Sequence, residues 1–250
     1  MKKMLTLRLH SEKFGSHTET TTATNMRTKT LLVAAAALSA GLLASSAQVY
    51  SVNTVGYINL TLTPGYNLIC NQLTNGNNNI NVALTNGVVD SMQIMSFNGS
   101  AFDDADQYYA GFGWYMADGV TPSTRTFTPG VGYLMFNPGA ANVTVTLLGD
   151  VPQGTSTTTI SAGNGLYGSV VPVVSGFSTN GFPSADSMQY STFSGYPTPA
   201  YSDAYQYYAG FGWYMPDGVT PVDPAPAVGQ GFLLFNPGSA APWTRVFTVN

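Results

Sequence analysis

The chain has 250 residues, and six of its eight Lys and Arg, both His and both Glu lie within the first 29. Residues 48–250 keep two Arg against ten Asp, a formal charge of 2 − 10 = −8, and contain no Lys, His or Glu. This composition excludes His-based catalytic triads, Lys nucleophiles and His metal sites. It also lacks the positive surface that binding of nucleic acid or anionic lipid requires.

Residues 1–47 are predicted to be an N-terminal extension followed by a signal peptide. A short basic patch at residues 26–30 precedes the apolar residues 31–43, and Ser45 and Ala47 supply the small side chains of a cleavage site. The apolar stretch is too short for a membrane span, so none is expected in the mature chain. This pattern predicts export to the cell surface or the medium. The start codon is either Met1 or Met26.

The remainder is an internal repeat, with predicted units at residues 48–152 and 153–250. Residues 108–116 recur unchanged as residues 207–215, and residues 118–122 recur as residues 217–221. Further matches are Asp90-Ser91-Met92-Gln93 with Asp186-Ser187-Met188-Gln189, and Phe136-Asn137-Pro138-Gly139 with Phe235-Asn236-Pro237-Gly238. The spacing between copies changes by only a few residues, which indicates short insertions in loops.

Short apolar segments between Gly, Pro and Asn turns predict strands and no helix. The predicted strands are residues 50–62, 92–97, 132–136, 143–148, 188–193, 231–235 and 243–249. Residues 132–136 are apolar on both faces, which is typical of a central strand. Asn137-Pro138-Gly139 suits a type II turn with a positive φ at Gly139. The predicted fold class is all-β: two tandem homologous β-sandwich-like (or small barrel) units after the signal segment.

The repeated aromatic segment provides the candidate ligand-binding residues, which are Tyr109, Trp114, Tyr115, Tyr208, Trp213 and Tyr214. A sugar ring can stack on exposed aromatic rings while Asn, Gln and Asp bind its hydroxyls. If residues 108–116 form one strand, alternation places Trp114 opposite Tyr109 and Tyr115, so all three share a site only in a loop or bulge. The alternative is that Phe112 and Trp114 belong to the core.

Other chemistry is weakly represented. Asp103, Asp104 and Asp106 suit either a solvated acidic loop or a calcium site, and the loop is favoured because the second copy keeps only Asp203. The repeated Asp-Ser pairs resemble aspartic protease motifs but are followed by Met92 and Met188 where that family requires Gly. Cys70 is expected to be a buried core residue. We therefore predict no catalytic residues, no metal site and no cofactor.

Across residues 50–250 the pattern resembles uncharacterised exported tandem-repeat β-rich proteins of Verrucomicrobia- and Planctomycetes-type bacteria. Residues 50–57, 65–69, 130–133 and 137–139 carry the resemblance, together with residues 229–232 and 236–238. The resemblance implies export and a β-rich fold. The predicted function is a non-enzymatic structural or adhesive protein, with a pair of carbohydrate-binding modules as the alternative. The expected partners are polysaccharide or further copies of the chain, and a hydrolase using paired Asp is a third hypothesis.

Overall fold

In the computed structural model, which describes residues 54–248, the chain folds almost entirely into antiparallel strands. The predicted signal peptide lies outside these described residues. The strands are β1 (Val55–Leu62), β2 (Gly65–Cys70), β3 (Gln93–Met95), β4 (Asp106–Tyr109), β5 (Gly113–Tyr115), β6 (Gly132–Asn137), β7 (Val143–Asp150), β8 (Gly154–Ile160), β9 (Gly163–Tyr167), β10 (Gln189–Ser191), β11 (Phe193–Ser194), β12 (Ala200–Tyr201), β13 (Tyr205–Tyr208), β14 (Gly212–Tyr214), β15 (Pro221–Val222), β16 (Phe232–Asn236) and β17 (Ala241–Phe247). The all-β prediction is confirmed. The prediction that no helix forms is wrong for one short helix, α1 (Ile80–Ala83).

The two main sheets have the same strand order. The first is β2-β6-β3-β4-β5, and the second is β9-β16-β10-β13-β14 with β15 added at its edge. Two-stranded ladders, β1–β7 and β8–β17, also correspond, and β11–β12 forms a further hairpin. None of the described sheets closes into a barrel, so of the two predicted forms the fold agrees with the β-sandwich-like one.

Each sheet covers its own hydrophobic core. In β1 every second side chain is buried, because successive side chains of a strand point to opposite faces. The first core contains Trp114, Phe127 and Met135, while the second is richer in aromatic rings around Phe177 and Trp243. The cores have therefore diverged in composition around a shared strand order.

Residues 108–116 form a hairpin rather than one strand. β4 ends at Tyr109 and β5 begins at Gly113, and the Phe112 N–H donates to the Tyr109 carbonyl across the turn. Gly111 and Gly113 take φ values of 82° and 103°, which favour glycine. Phe112 therefore lies at the hairpin tip, where its side chain is 79% exposed, and the interpretation of Phe112 as core is wrong.

The turn after β6 also differs from its prediction. Gly139 does not take a positive φ, so this is not a type II turn. Instead the Asn137 side chain accepts a hydrogen bond of 2.9 Å from the Gly139 N–H. Its Nδ2 donates to the carbonyls of Leu62 and Ala141. An Asn side chain thus replaces the backbone hydrogen bond of the predicted turn.

Main-chain hydrogen bonds join the two repeats reciprocally. The Cys70 N–H donates to the Gly229 carbonyl at 2.9 Å, and the Gly168 N–H donates to the Gly130 carbonyl at 3.1 Å. Cys70 and Gly168 are equivalent positions of the repeat, as are Gly130 and Gly229, so exchanging the repeats converts each bond into the other. The bridges Ile69–Gln230 and Val131–Tyr167 are related in the same way. Reciprocal contacts of this kind define a local two-fold axis. The boundary at residues 152 and 153 stays a prediction.

Candidate binding face

The structure separates the six predicted binding residues into two sets. Trp114 and Trp213 point into the cores and are 0% and 4% exposed, so no sugar ring can stack on them. Tyr109 and Tyr115 are half-buried on the opposite face, with ring centroids 5.6 Å apart and nearly perpendicular. Their copies Tyr208 and Tyr214 repeat this arrangement at 5.5 Å. The prediction that tryptophans share the platform is thereby corrected, because β5 alternates its side chains between core and solvent.

Strand register brings further residues into line with Tyr115. In the first sheet Phe136 pairs with Gln93, Gln93 with Gln107, and Gln107 with Tyr115. Directly paired residues of antiparallel strands have side chains on the same face. Ile94 follows Gln93 on β3 and Trp114 precedes Tyr115 on β5, and both are fully buried. The row of Phe136, Gln93, Gln107 and Tyr115, which we call the first platform, therefore lies on the face away from the core.

The second sheet has the same row. Phe235 pairs with Gln189, Gln189 with Gln206, and Gln206 with Tyr214, which form the second platform. Phe235 and Gln189 are exposed, and Gln206 and Tyr214 are half-buried. The rows differ at one end, because Phe136 pairs with Tyr66 whereas Phe235 pairs with Asn164. The first platform therefore continues into a further aromatic ring, 5.0 Å from Phe136.

Each platform combines apolar and hydrogen-bonding groups in a straight line. Neighbouring strands lie ~4.8 Å apart, so three strand spacings separate Phe136 from Tyr115 by about 14 Å. The two Gln side chains between them each offer amide donors and a carbonyl acceptor. Gln93 donates to Gln107 at 3.4 Å in the first platform. This arrangement suits an extended ligand with apolar faces and many hydroxyl groups.

The repeated aspartates hold the hairpin that carries the tyrosines. The Asp90 carboxylate accepts a hydrogen bond of 2.8 Å from the Ala110 N–H at the turn, and Asp186 accepts one of the same length from Ala209. The adjacent Ser91 and Ser187 take positive φ values of 64° and 62°. The motif that resembles an aspartic protease is thus used in both copies to fix the hairpin.

The following loop is held in the same way in both copies. Asp118 accepts hydrogen bonds from the Thr121 hydroxyl and from the N–H groups of Thr121 and Val120, and these bonds lower the pKa of its carboxyl. Asp217 makes the equivalent bonds with Val219 and Thr220, and its pKa is lowered for the same reason. The loop is therefore preorganised beside the platform.

The acidic loop binds an arginine rather than solvent alone. Arg125 Nη1 donates to Asp103 at 2.6 Å, and Arg125 Nε donates to Asp106 at 3.0 Å. Asp106 is buried and also accepts a short hydrogen bond from the Ser123 hydroxyl. Among the described residues no group of three His, Cys, Asp or Glu could hold a metal ion. The prediction that these aspartates form a solvated loop is therefore wrong for Asp106, which is buried and paired with Arg125.

The sequence analysis missed Phe136, Gln93, Gln107 and their copies as surface residues. They were visible as repeated positions, since Gln93 ends the Asp-Ser-Met-Gln motif and Phe136 begins the Phe-Asn-Pro-Gly motif. Strand register is what places them beside Tyr115. Comparison of the chain with protein-family models, curated proteins and solved structures gives no match.

Proposed function

We propose that this protein is a non-catalytic adhesive protein of the cell surface or the extracellular space that binds neutral polysaccharides through its two platforms. The observation that carries the proposal is the duplicated Phe-Gln-Gln-Tyr row on the open face of both sheets. Sugar rings have apolar C–H faces that pack on aromatic rings and hydroxyl edges that pair with amides. Extracellular placement rests on the predicted signal peptide.

Charge supports a neutral ligand over an anionic one. Residues 48–250 carry ten Asp, and both of their Arg residues are engaged. Arg125 binds aspartates, and the guanidinium of the buried Arg245 donates to the hydroxyls of Ser169 and Ser175. A polyanion would meet repulsion from the acidic surface without cationic compensation. Nucleic acid is disfavoured for the same reason.

A binding role is also supported by the use of the titratable groups. The carboxylates of Asp90, Asp118 and Asp106 accept hydrogen bonds from the hairpin, from the following loop and from Arg125, respectively. Burial raises the pKa of the Cys70 thiol to about 12, which leaves it protonated and unreactive at neutral pH. The bonds to Asp90 and Asp118 hold the hairpin and the loop that flank Tyr115.

The test is affinity electrophoresis of the full chain in gels containing xylan, galactomannan, hydroxyethyl cellulose or the polyanion alginate. We expect retardation by a neutral polymer and none by alginate. The variant Tyr115→Ala/Tyr214→Ala should lose most of the retardation. The matched control is Tyr57→Ala, which removes a tyrosine that is 72% exposed on β1, outside the platforms.

Equal retardation of the Tyr115→Ala/Tyr214→Ala variant and the parent would exclude the platforms as the binding surface. No retardation of the parent by any polymer would overturn the proposal.

Self-association is a second candidate, favoured by the hairpin tips. Phe112 and Phe211 are 79% and 78% exposed at equivalent tips, and Val120 and Val219 on the neighbouring loops are each 75% exposed. Repeated exposed apolar groups of this kind are typical of protein contacts. Sedimentation of the parent and of Phe112→Ser/Phe211→Ser tests this candidate. A parent that stays monomeric at high concentration would exclude it.

A further inference from the structure

The two platforms are related by the local two-fold axis at the repeat junction. The reciprocal bonds Cys70–Gly229 and Gly168–Gly130 fix this relationship without any flexible linker. Gln72 strengthens the junction, since its side chain accepts from the Gly229 N–H and donates to the Val171 carbonyl. The strand order on both sides of the axis is the same, so the rotation that superposes the sheets also superposes the rows.

A two-fold axis restricts how a polymer can lie on both platforms. Two directions describe a straight polymer segment bound to one platform: the direction of the polymer chain, and the normal of the platform surface on which it lies. These two directions are perpendicular. A two-fold rotation leaves unchanged only directions parallel to its axis. Chain direction and surface normal therefore cannot both be preserved. One straight chain that binds the first platform cannot bind the second with the same polarity and from the same side.

We propose that the protein cross-links two separate polysaccharide chains, one on each platform. This inference rests on the proposed function and specifies how the two sites are used. Rigid presentation of two equivalent sites makes attachment bivalent, so cross-linking requires both platforms in one molecule. Each platform alone supports binding to one chain.

The experiment follows the turbidity and viscosity of a soluble neutral polysaccharide that retards the parent, at increasing ratios of protein to polymer. Two variants each keep one platform: Phe136→Ala/Tyr115→Ala and Phe235→Ala/Tyr214→Ala. The glutamine pairs Gln93→Ala/Gln107→Ala and Gln189→Ala/Gln206→Ala repeat the test with side chains that leave the aromatic packing intact. Calorimetry with a hexasaccharide of the same polymer gives the number of sites.

We expect turbidity from the parent to rise and then fall as protein is added in excess, with two hexasaccharide sites per chain. Each single-platform variant should keep one site, remain retarded in the polysaccharide gel and produce no turbidity, alone or mixed with the other. A parent that binds the polymer but never cross-links it would overturn this inference and leave the proposed function standing. Undiminished cross-linking by the single-platform variants would also overturn this inference, because the cross-links would then come from self-association of the protein. A parent that binds no polysaccharide would overturn both.

Discussion

The side-chain oxygen of Gln72 accepts a hydrogen bond of 2.8 Å from the N–H of Gly229, which lies 157 positions later in the chain. The Gln72 amide nitrogen donates to the Val171 carbonyl at 3.0 Å, and Gln72 is buried. Replacement by leucine would leave the buried N–H of Gly229 unpaired, at a cost of about 1–3 kcal/mol, while the Val171 carbonyl keeps its hydrogen bonds from the Ser169 hydroxyl and the Val173 N–H. For Gln72→Leu we expect the free energy of unfolding to fall by about 1–3 kcal/mol, measured by urea denaturation.

Gln189→Leu is the control for this prediction, because Gln189 is exposed on the second platform. Its effect on stability should stay within about 0.5 kcal/mol, as for most surface substitutions. Equal destabilisation by both variants would contradict the assignment of Gln72 to the junction.

The Arg125 cluster gives a second prediction, on the effect of leaving a buried carboxylate unpaired. Arg125→Met removes both ion pairs and leaves Asp106, whose side chain is 7% exposed, without its counter-ion. Removal of one partner of a buried pair costs about 3–5 kcal/mol, so we expect a loss of that order in the free energy of unfolding at pH 7. Arg125→Met/Asp106→Asn should recover part of it, because the amide carries no charge. A double variant no more stable than Arg125→Met would contradict this account.

The Asp118 loop predicts a pH dependence. Its hydrogen bonds to the Thr121 hydroxyl and to the backbone hold the pKa of Asp118 below the ordinary value of 3.8. A carboxyl with a lowered folded-state pKa stabilises the fold above its unfolded value and loses this contribution as the pH falls through the folded value. The NMR signals of the Val120 and Thr121 amides should therefore titrate with a midpoint below pH 3.8. In Asp118→Asn these signals should not titrate, and a midpoint above 3.8 in the parent would contradict the prediction.

The Cys70 thiol should be inert in the folded protein. It is fully buried at the junction, and burial raises its pKa to about 12. A Cβ on Gly168 would lie 2.3 Å from Cys70 Sγ, which shows how closely the repeats approach there. We expect no labelling by a maleimide at pH 8 in native buffer and full labelling in urea. Rapid labelling of the folded chain would show that the junction opens.

The sequence predicted much of the fold because its signals are local. Alternation in residues 50–62 and the double-sided apolar run of β6 depend only on spacing along one strand, and both were predicted as strands. The hairpin at Phe112 was missed because the Gly111 and Gly113 φ values, together with the hydrogen bond from Ala110 to Asp90, decide the turn. Asp90 is twenty positions earlier in the chain, so no local pattern shows this bond.

For the binding face, too, the sequence determined one part and the tertiary structure another. Composition alone determined that residues 48–250 contain no Lys, His or Glu, since absence of a residue type needs no coordinates. The internal repeat determined that a site built on the repeated residues 108–116 has a copy on residues 207–215. Only the tertiary structure decided that Trp114 is core and that Phe136, Gln93 and Gln107 align with Tyr115, because strand register sets which distant residues share a face. The local two-fold axis likewise arises from hydrogen bonds that no local pattern shows, those of Cys70 with Gly229 and of Gly168 with Gly130.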